Sequence, residues 1–327
     1  MISVAVPSRA RIAAVSLLLI VSLPPAQAQE GKWPSKPVRM VVPFPPGGAT
    51  DVAARLVAPH LSDEFGQQFI VDNRPGAGSA IGNELVVRAN PDGHTILFGN
   101  SSYTTNAALY KLPYDPVNDI APVVLVTDGP LIFAVNPSVK AGSLKEFIEL
   151  ARAKPNSLNY ASSGTGSLQH LGTELLMQML RTQMVHVPYK GGGPAIVDLI
   201  AGQVQVYMSG PLEILPHVKS GKVRGIAVTS TQRWTLMPDL PAVSEQVPGY
   251  TATPWYAMFA PAKTPTPIVA RLNQAIARAL KKPEVDERLR ANGMEPAHNT
   301  PEQFSRFIAQ DIAKWVKVVK VANIKVD

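Results

Sequence analysis

At 327 residues, 46% of them hydrophobic and 17% charged, the chain is long enough for two domains and has an ordinary globular composition. It contains no cysteine, which excludes disulfides, thiolate metal sites, cysteine nucleophiles and a lipid-anchored cysteine. The formal charge of +7 is scattered rather than gathered in a Lys/Arg block, which excludes a nucleic-acid footprint and leaves a diffuse field favouring small anions.

The first 28 residues read as a targeting segment. Arg9 and Arg11 precede an apolar run from Ile12 to Leu23, and Ala26-Gln27-Ala28 is an A-x-A cleavage signal. The apolar run is too short to span a bilayer. Cleavage after Ala28 would release the mature chain into the periplasm of a Gram-negative cell.

Val38–Val42 is apolar apart from Arg39 and reads as a buried strand. Pro43-Phe44-Pro45-Pro46-Gly47-Gly48 then halts it. Thr50 and Asp51 carry N-cap and first-turn character, and an amphipathic helix follows over Ala53–Phe65. Gln68–Val71 is a second strand, followed by a helix to about Arg88 and a third strand at Thr95–Phe98. Strands alternating with helices predict parallel sheets covered on both faces. The runs Val123–Val126 and Leu131–Val135 mark a crossing, after which the alternation restarts. Ser143-Leu144-Lys145-Glu146 is a capping box. Short strands at Asn159–Ala161, Val185–Pro188, Gln205–Met208 and Val223–Val228 follow, with helices at Ser167–Leu180, Pro194–Ile200 and, shorter, between the last two strands. A second crossing is expected at Trp255–Pro261. The C-terminal part is helical, with starts at Thr266-Pro267 and Thr300-Pro301-Glu302-Gln303. Phe304, Phe307, Ile308, Ile312, Trp315, Val316 and Val319 recur at helical spacing, so the last helix needs a sheet to cover, and the first domain is the expected one.

Four strand–glycine–helix junctions stand out: Val41–Asp51, Pro75–Ser79, Ser162–Ser167 and Lys190–Pro194. Each presents backbone N–H groups and the positive end of a helix to an anion. In open α/β sheets such turns share the rim outside the carboxyl ends of the strands. Gly76-Ala77-Gly78-Ser79-Ala80-Ile81-Gly82 varies the dinucleotide fingerprint, but the expected acid about 20 residues on is missing, and no Walker A sequence occurs. No catalytic or metal-binding motif is present, and no cofactor is implied. His170 is placed to cap or fix the Gly164–Ser167 turn. Asp51 fits either a first-turn acid or a support accepting bonds from loop amides, and Asp198 shares that ambiguity.

The ordered set Pro43-Phe44-Pro45-Pro46-Gly47-Gly48 with Asp51, Asn73-Arg74-Pro75-Gly76-Ala77-Gly78, Tyr110–Asp115, Gly164-Thr165-Gly166-Ser167 with His170-Leu171, and Val187–Gly191 with Pro194-Ala195 resembles the Bug (TctC-like) periplasmic solute receptors of tripartite tricarboxylate transporters. The resemblance covers the whole mature chain. It implies an α/β, two-domain periplasmic binding protein of type II, a Venus flytrap, each domain a mainly parallel sheet flanked by helices. The expected limits are residues 1–28 for the signal peptide, 29–127 and 257–327 for domain 1, and 128–256 for domain 2. The resemblance further implies a ligand carboxylate held by Phe44, Gly48, Thr50 and Asp51, by Ala77, Gly78 and Ser79, and across the cleft by Thr165, Gly166 and Ser167. Ser101, Ser102 and Ser209 are expected toward the distal end of the ligand, with His170, Tyr189 and Asp198 behind the binding loops. The function implied is non-catalytic: domain closure on a small organic carboxylate, a dicarboxylate, and delivery to permease subunits in the inner membrane. The alternative is a sensing module that presents its ligand to a two-component sensor kinase.

Overall fold

A computed structural model describes residues 1–3 and 33–325; the predicted signal peptide and its cleavage site at Ala28 lie outside the described residues. Met1–Trp33 is a unit of its own, and Pro34 onward forms the body of the protein.

The body contains two sheets. The first holds strands β1 (Val38–Val42), β2 (Phe69–Asn73), β3 (Thr95–Asn100), β4 (Ile120–Asp128), β10 (Trp255–Pro261) and β11 (Glu295–Pro296), in the order β11-β4-β10-β3-β1-β2. The second holds β5 (Ile132–Val135), β6 (Asn159–Ser162), β7 (Val185–Pro188), β8 (Val206–Ser209) and β9 (Arg224–Val228), in the order β7-β6-β8-β5-β9. The helices are α1 (Ala49–Phe65), α2 (Ala80–Val87), α3 (Ser102–Leu109), α4 (Leu144–Ala153), α5 (Leu168–Leu180), α6 (Gly192–Ala201), α7 (Pro211–Lys219), α8 (Thr266–Leu280), α9 (Pro283–Ala291) and α10 (Pro301–Val321).

Both sheets are mixed, which corrects the expectation of mainly parallel sheets. β1 pairs in parallel with β2 and β3, but β10 runs antiparallel to both β3 and β4. β6 pairs in parallel with β7 and β8, but β5 runs antiparallel to β8 and β9. The cause is the path of the chain. β4 ends at the rim of the first sheet, the chain crosses at Gly129–Leu131, and β5 therefore begins at the rim of the second, with Ile132 opposite Ser209 and Val228. The return path enters the first sheet the same way, with Trp255 opposite Asp128. A strand entered from the rim must run away from it.

Burial follows the period of each element. Phe133, Val135, Val206 and Met208 on one face of the second sheet pack with Phe147, Leu171 and Leu176 of α4 and α5. Ile132, Ala134 and Tyr207 on the other face meet Ile196, Leu199 and Ile214 of α6 and α7. The strict alternation along β5 is the period-two signature of a strand covered on both sides. In the first sheet Val41, Leu97, Ala257 and Phe259 pack with Tyr103 of α3 and with Phe304 and Ile308 of α10.

α10 does more than return to the first sheet. Its second half places Trp315 and Val318 in the core of the second sheet. Asp311, 6% exposed, anchors the middle: its carboxylate accepts from Thr104 Oγ1 of α3 at 2.6 Å, Trp315 Nε1 at 3.1 Å and Trp255 Nε1 at 3.4 Å, and pairs with Lys314 at 2.6 Å. A carboxylate this deep is tolerable because its acceptor sites are filled and a cation neutralises it.

Candidate functional site

The β1–α1 turn departs from the sequence expectation: the helix starts four residues before the expected Ala53. Gly48, not Thr50, is the N-cap, and α1 begins at Ala49. Thr50 and Asp51 are drawn into the helix because tertiary partners claim their side chains. Asn100 Nδ2 donates to Thr50 Oγ1 at 2.9 Å. The Asp51 carboxylate, 3% exposed, accepts from the Gly47 amide at 2.9 Å, Asn73 Nδ2 at 2.9 Å and Arg55 Nε at 2.9 Å. Burial alone would raise its pKa; the bonds from Arg55, Gly47 and Asn73 and the Arg55 charge hold it below the usual carboxylate range. Asp51 is therefore spent on its own loop. Asn73 also donates to the Phe44 carbonyl at 3.0 Å, which ties the turn at both ends. Phe44 is half-buried and Gly48 exposed.

The β2–α2 turn is strained. Ala77, with φ 45°, and Ser79, with φ 96°, are non-glycine residues on the left-handed side, flanking Gly76 and Gly78. Asn106 of α3 holds the conformation by donating to the Gly78 carbonyl and, at 3.1 Å, to Ser79 Oγ, while Asn83 donates to the same hydroxyl at 3.2 Å. Ser79 is buried behind Ala77 and Gly78, which are exposed. Gly82, the last glycine of the fingerprint-like run, serves packing: a β-carbon there would lie 2.7 Å from Pro43 and 2.8 Å from the Arg74 carbonyl oxygen. Ser101 and Ser102 open α3 beside this turn, and Asn100 Oδ1 accepts from the Ser102 amide at 2.9 Å.

Across from these, Ser167 caps α5 by accepting from the His170 amide, and the Gly166 amide donates to His170 Nδ1 at 3.0 Å. His170, 4% exposed, lies flat on His186, with ring centroids 3.8 Å apart and planes 9° from parallel. His186 Nε2 meets Ser162 Oγ at 2.7 Å, and Tyr160 stacks beyond it at 4.9 Å. Burial drives both imidazoles toward the neutral form, His186 to about 4 and His170, which also feels His186, to about 3. Two neutral rings thus prop the Ser162–Ser167 loop, on which Thr165 is exposed. The adjoining β7–α6 loop is tied by the Tyr189 hydroxyl donating to Asp198 Oδ2 at 2.7 Å, and by the Gly191 amide donating to the Ser163 carbonyl at 3.2 Å. Burial, together with Asp198, pushes the Tyr189 phenol up to about 12.

The two sets of rim loops meet at a cavity of about 320 Å³, lined by Gly47, Gly48 and Ala49 of the first sheet's rim, Gln169 and Gly210–Glu213 of the second, and Asp128–Leu131, Pro254 and Tyr256 of the two crossings. Asn292–Met294, after α9, closes it. Of the expected ligand residues Gly48 lines this cavity. Phe44, Thr50, Asp51, Ala77, Gly78, Ser79, Ser101, Ser102, Ser209 and the Thr165–Ser167 turn do not form its wall. Sequence reasoning missed Gln169, Glu213 and Tyr256. A signal for Glu213 existed: Ser209-Gly210-Pro211 is a further strand–glycine–helix junction, with proline at the first helical position. A larger hollow of about 440 Å³ beside the same crossing is lined by Ser230–Thr235 and Glu295 and touches none of the four glycine junctions. Among the described residues no group of three or more His, Cys, Asp or Glu is arranged to hold a metal, and no helix is long and apolar enough to cross a membrane.

Residues 53–324 match the family described as the tripartite tricarboxylate transporter family receptor. The chain belongs to that receptor family. It is 38% identical over 297 residues to protein BugT of Bordetella pertussis, covering 90% of this chain and 91% of that one. Among solved structures of family-like fold, R. palustris Rpa4515 with adipate is 37% identical with a TM-score of 0.75, covering 90% of this chain and 99% of that one. MatC (Rpa3494) from Rhodopseudomonas palustris with bound malate is 33% identical with a TM-score of 0.72, covering 88% and 100%. The fold is that of the receptor family's periplasmic binding proteins, two α/β sheets flanked by helices, and the family is one of solute-binding receptors.

Proposed function

We propose that this receptor is a periplasmic, non-catalytic protein that takes a small organic carboxylate between its two sheets and delivers it to the membrane permease of a tripartite tricarboxylate-type transporter. The observation that carries the reading is the 320 Å³ cavity, walled on one side by the start of α1 at Gly47–Ala49 and on the other by the first turns of α5 and α7. Helix starts present N–H groups without intrahelical acceptors, which suits a carboxylate. Two or three charge-assisted bonds of about 1.5–3 kcal/mol each, with apolar burial, suffice for micromolar affinity. Relatives in the family hold adipate and malate, both carboxylates.

A division into two lobes, residues 29–127 with 257–327 and residues 128–256, is supported by sheet membership: β1–β4, β10 and β11 form one sheet and β5–β9 the other. A ligand touching both favours the closed arrangement through contacts it makes only there. Turnover is disfavoured by how the titratable candidates are used: Asp51 supports its loop, Asp198 accepts from Tyr189, and His170 accepts from Gly166. Export with cleavage after Ala28 completes the reading, and intact mass of the secreted chain checks it. Titration calorimetry against a panel of mono- and dicarboxylates and amino acids tests the binding. Saturable micromolar binding of at least one carboxylate is expected; heat from none of them overturns the proposal.

A further inference from the structure

Resting on the two-lobe reading, we infer that Glu295 is a latch between the lobes, which favours their approach and so sets the receptor's affinity from outside the cavity. The Glu295 backbone belongs to the first sheet: it lies on β11, opposite Asp128 at the end of β4. Its side chain is engaged by the other lobe. Trp234 Nε1 donates to Glu295 Oε1 at 3.0 Å, and the Thr235 hydroxyl donates to the same oxygen at 2.9 Å. Trp234, 3% exposed, is part of the core that Ile132 and Ile214 build on the second sheet. The acceptor therefore moves with one lobe and both donors with the other.

The carboxylate is held ready for that contact. Arg290 of α9 pairs with Glu295 Oε2, which leaves Oε1 to the two donors, and Arg290 is itself oriented by Asp286 at 2.9 Å. The position is a costly one for an acid, because Asp128 stands opposite; burial and the Glu295 charge raise the Asp128 pKa. A strand end with no duty toward the other lobe would avoid that repulsion with a neutral residue. Two residues earlier, Gly293 abuts Pro211 of α7, so the segment Gly293–Glu295 touches the second lobe at two points. Glu295, Trp234 and Thr235 are not among the residues lining the 320 Å³ cavity. Bonds made only when the lobes approach stabilise that state whatever the ligand is. Apparent affinity scales with the fraction of receptor in the competent state, so a broken latch weakens every ligand by one common factor. A residue of the cavity wall would instead change one ligand relative to another.

Trp234→Phe keeps the ring and removes the N–H donor, and Thr235→Val keeps the shape and removes the hydroxyl. In titration calorimetry of the mature chain, the double variant should bind adipate and malate about tenfold more weakly or worse, both by the same factor within about twofold. Glu295→Gln, which keeps an acceptor, should lose less. The chain has no cysteine, so Ile70→Cys on β2 and Val197→Cys on α6, both at exposed positions, place one spin label on each lobe. Without ligand, the interlabel distances should lengthen in the double variant while circular dichroism stays that of the wild type. If the double variant does not fold, Thr235→Val alone carries the same test with a smaller shift. Losses that differ between the two ligands by about tenfold, or unchanged distances, overturn the latch. Distances that respond to adipate or malate but not to the variant leave domain closure intact. Distances that respond to neither, although calorimetry detects binding, overturn closure itself. If neither ligand binds, the ligand-free distances alone decide.

Discussion

Gly48 has φ −76° and ψ 165°, a conformation open to any L-residue, and a β-carbon there would meet only the Pro45 carbonyl oxygen at 3.8 Å. The fold thus has no need of glycine at this position, while the cavity wall does. Gly48→Val should cost about 1 kcal/mol of stability by thermal unfolding, since valine is a poorer N-cap than glycine, and leave the protein folded while abolishing carboxylate binding by calorimetry. Normal binding by this variant would move the carboxylate to another loop. Asp51 makes the opposite case: its carboxylate is committed to Gly47, Asn73 and Arg55, so its contribution to binding is the rigidity of the turn.

At the scale of elements, the start of α5 depends on two histidines that stay neutral. Their folded pKa values, about 3 for His170 and about 4 for His186, lie below the unfolded value near 6.5. Below pH 6.5 the unfolded chain therefore binds protons that the folded chain refuses. The associated stability is complete above pH 6.5 and is lost as the pH falls toward 4, at up to about 1.4 kcal/mol per pH unit for each ring. Glu174, raised by burial against the bond from Tyr160, titrates in the opposite sense and offsets part of the loss at the acid end. The wild-type melting temperature should fall more steeply from pH 6.5 to 4.5 than that of His170→Gln. Parallel curves would show that His170 is not the titrating group. Protonation at Nδ1 would also break the Gly166 bond, so the Ser162–Ser167 loop should loosen over the same range.

For the whole molecule, the approach of the two sheets rests on small residues. Gly293, with φ 72°, sits where a β-carbon would lie 2.7 Å from Pro211 of α7, and a β-carbon at Gly129 would lie 2.7 Å from the Gly293 carbonyl oxygen. Gly293→Ala adds about 1 kcal/mol of backbone strain and a steric block between the lobes. If ligand binding needs this approach, affinity should fall at least tenfold, and the radius of gyration in solution X-ray scattering should rise. Unchanged affinity would mean that ligand is held without the Pro211–Gly293 contact. α10 works against separation, since Phe304 and Trp315 lie in the cores of different sheets on one continuous helix.

What the sequence determined by itself was local: where strands and helices lie, and which turns offer backbone amides, because hydrophobic period, glycine, proline and caps act within a few residues. β10 and the capped starts of α4 and α10 were legible for that reason. α3 was not, since Thr104 and Asn106 bury polar groups whose partners, Asp311 and the Gly78–Ser79 turn, are distant in sequence. The start of α1 shifted for a similar cause, with Asn100 and Asn73 claiming Thr50 and Asp51. Only the tertiary structure decided strand direction at β5 and β10, which depends on the rim from which the chain enters. It alone brought Gly48, Gln169, Glu213 and Tyr256 to one cavity, because a wall drawn from two sheets has no signature in any single stretch of chain.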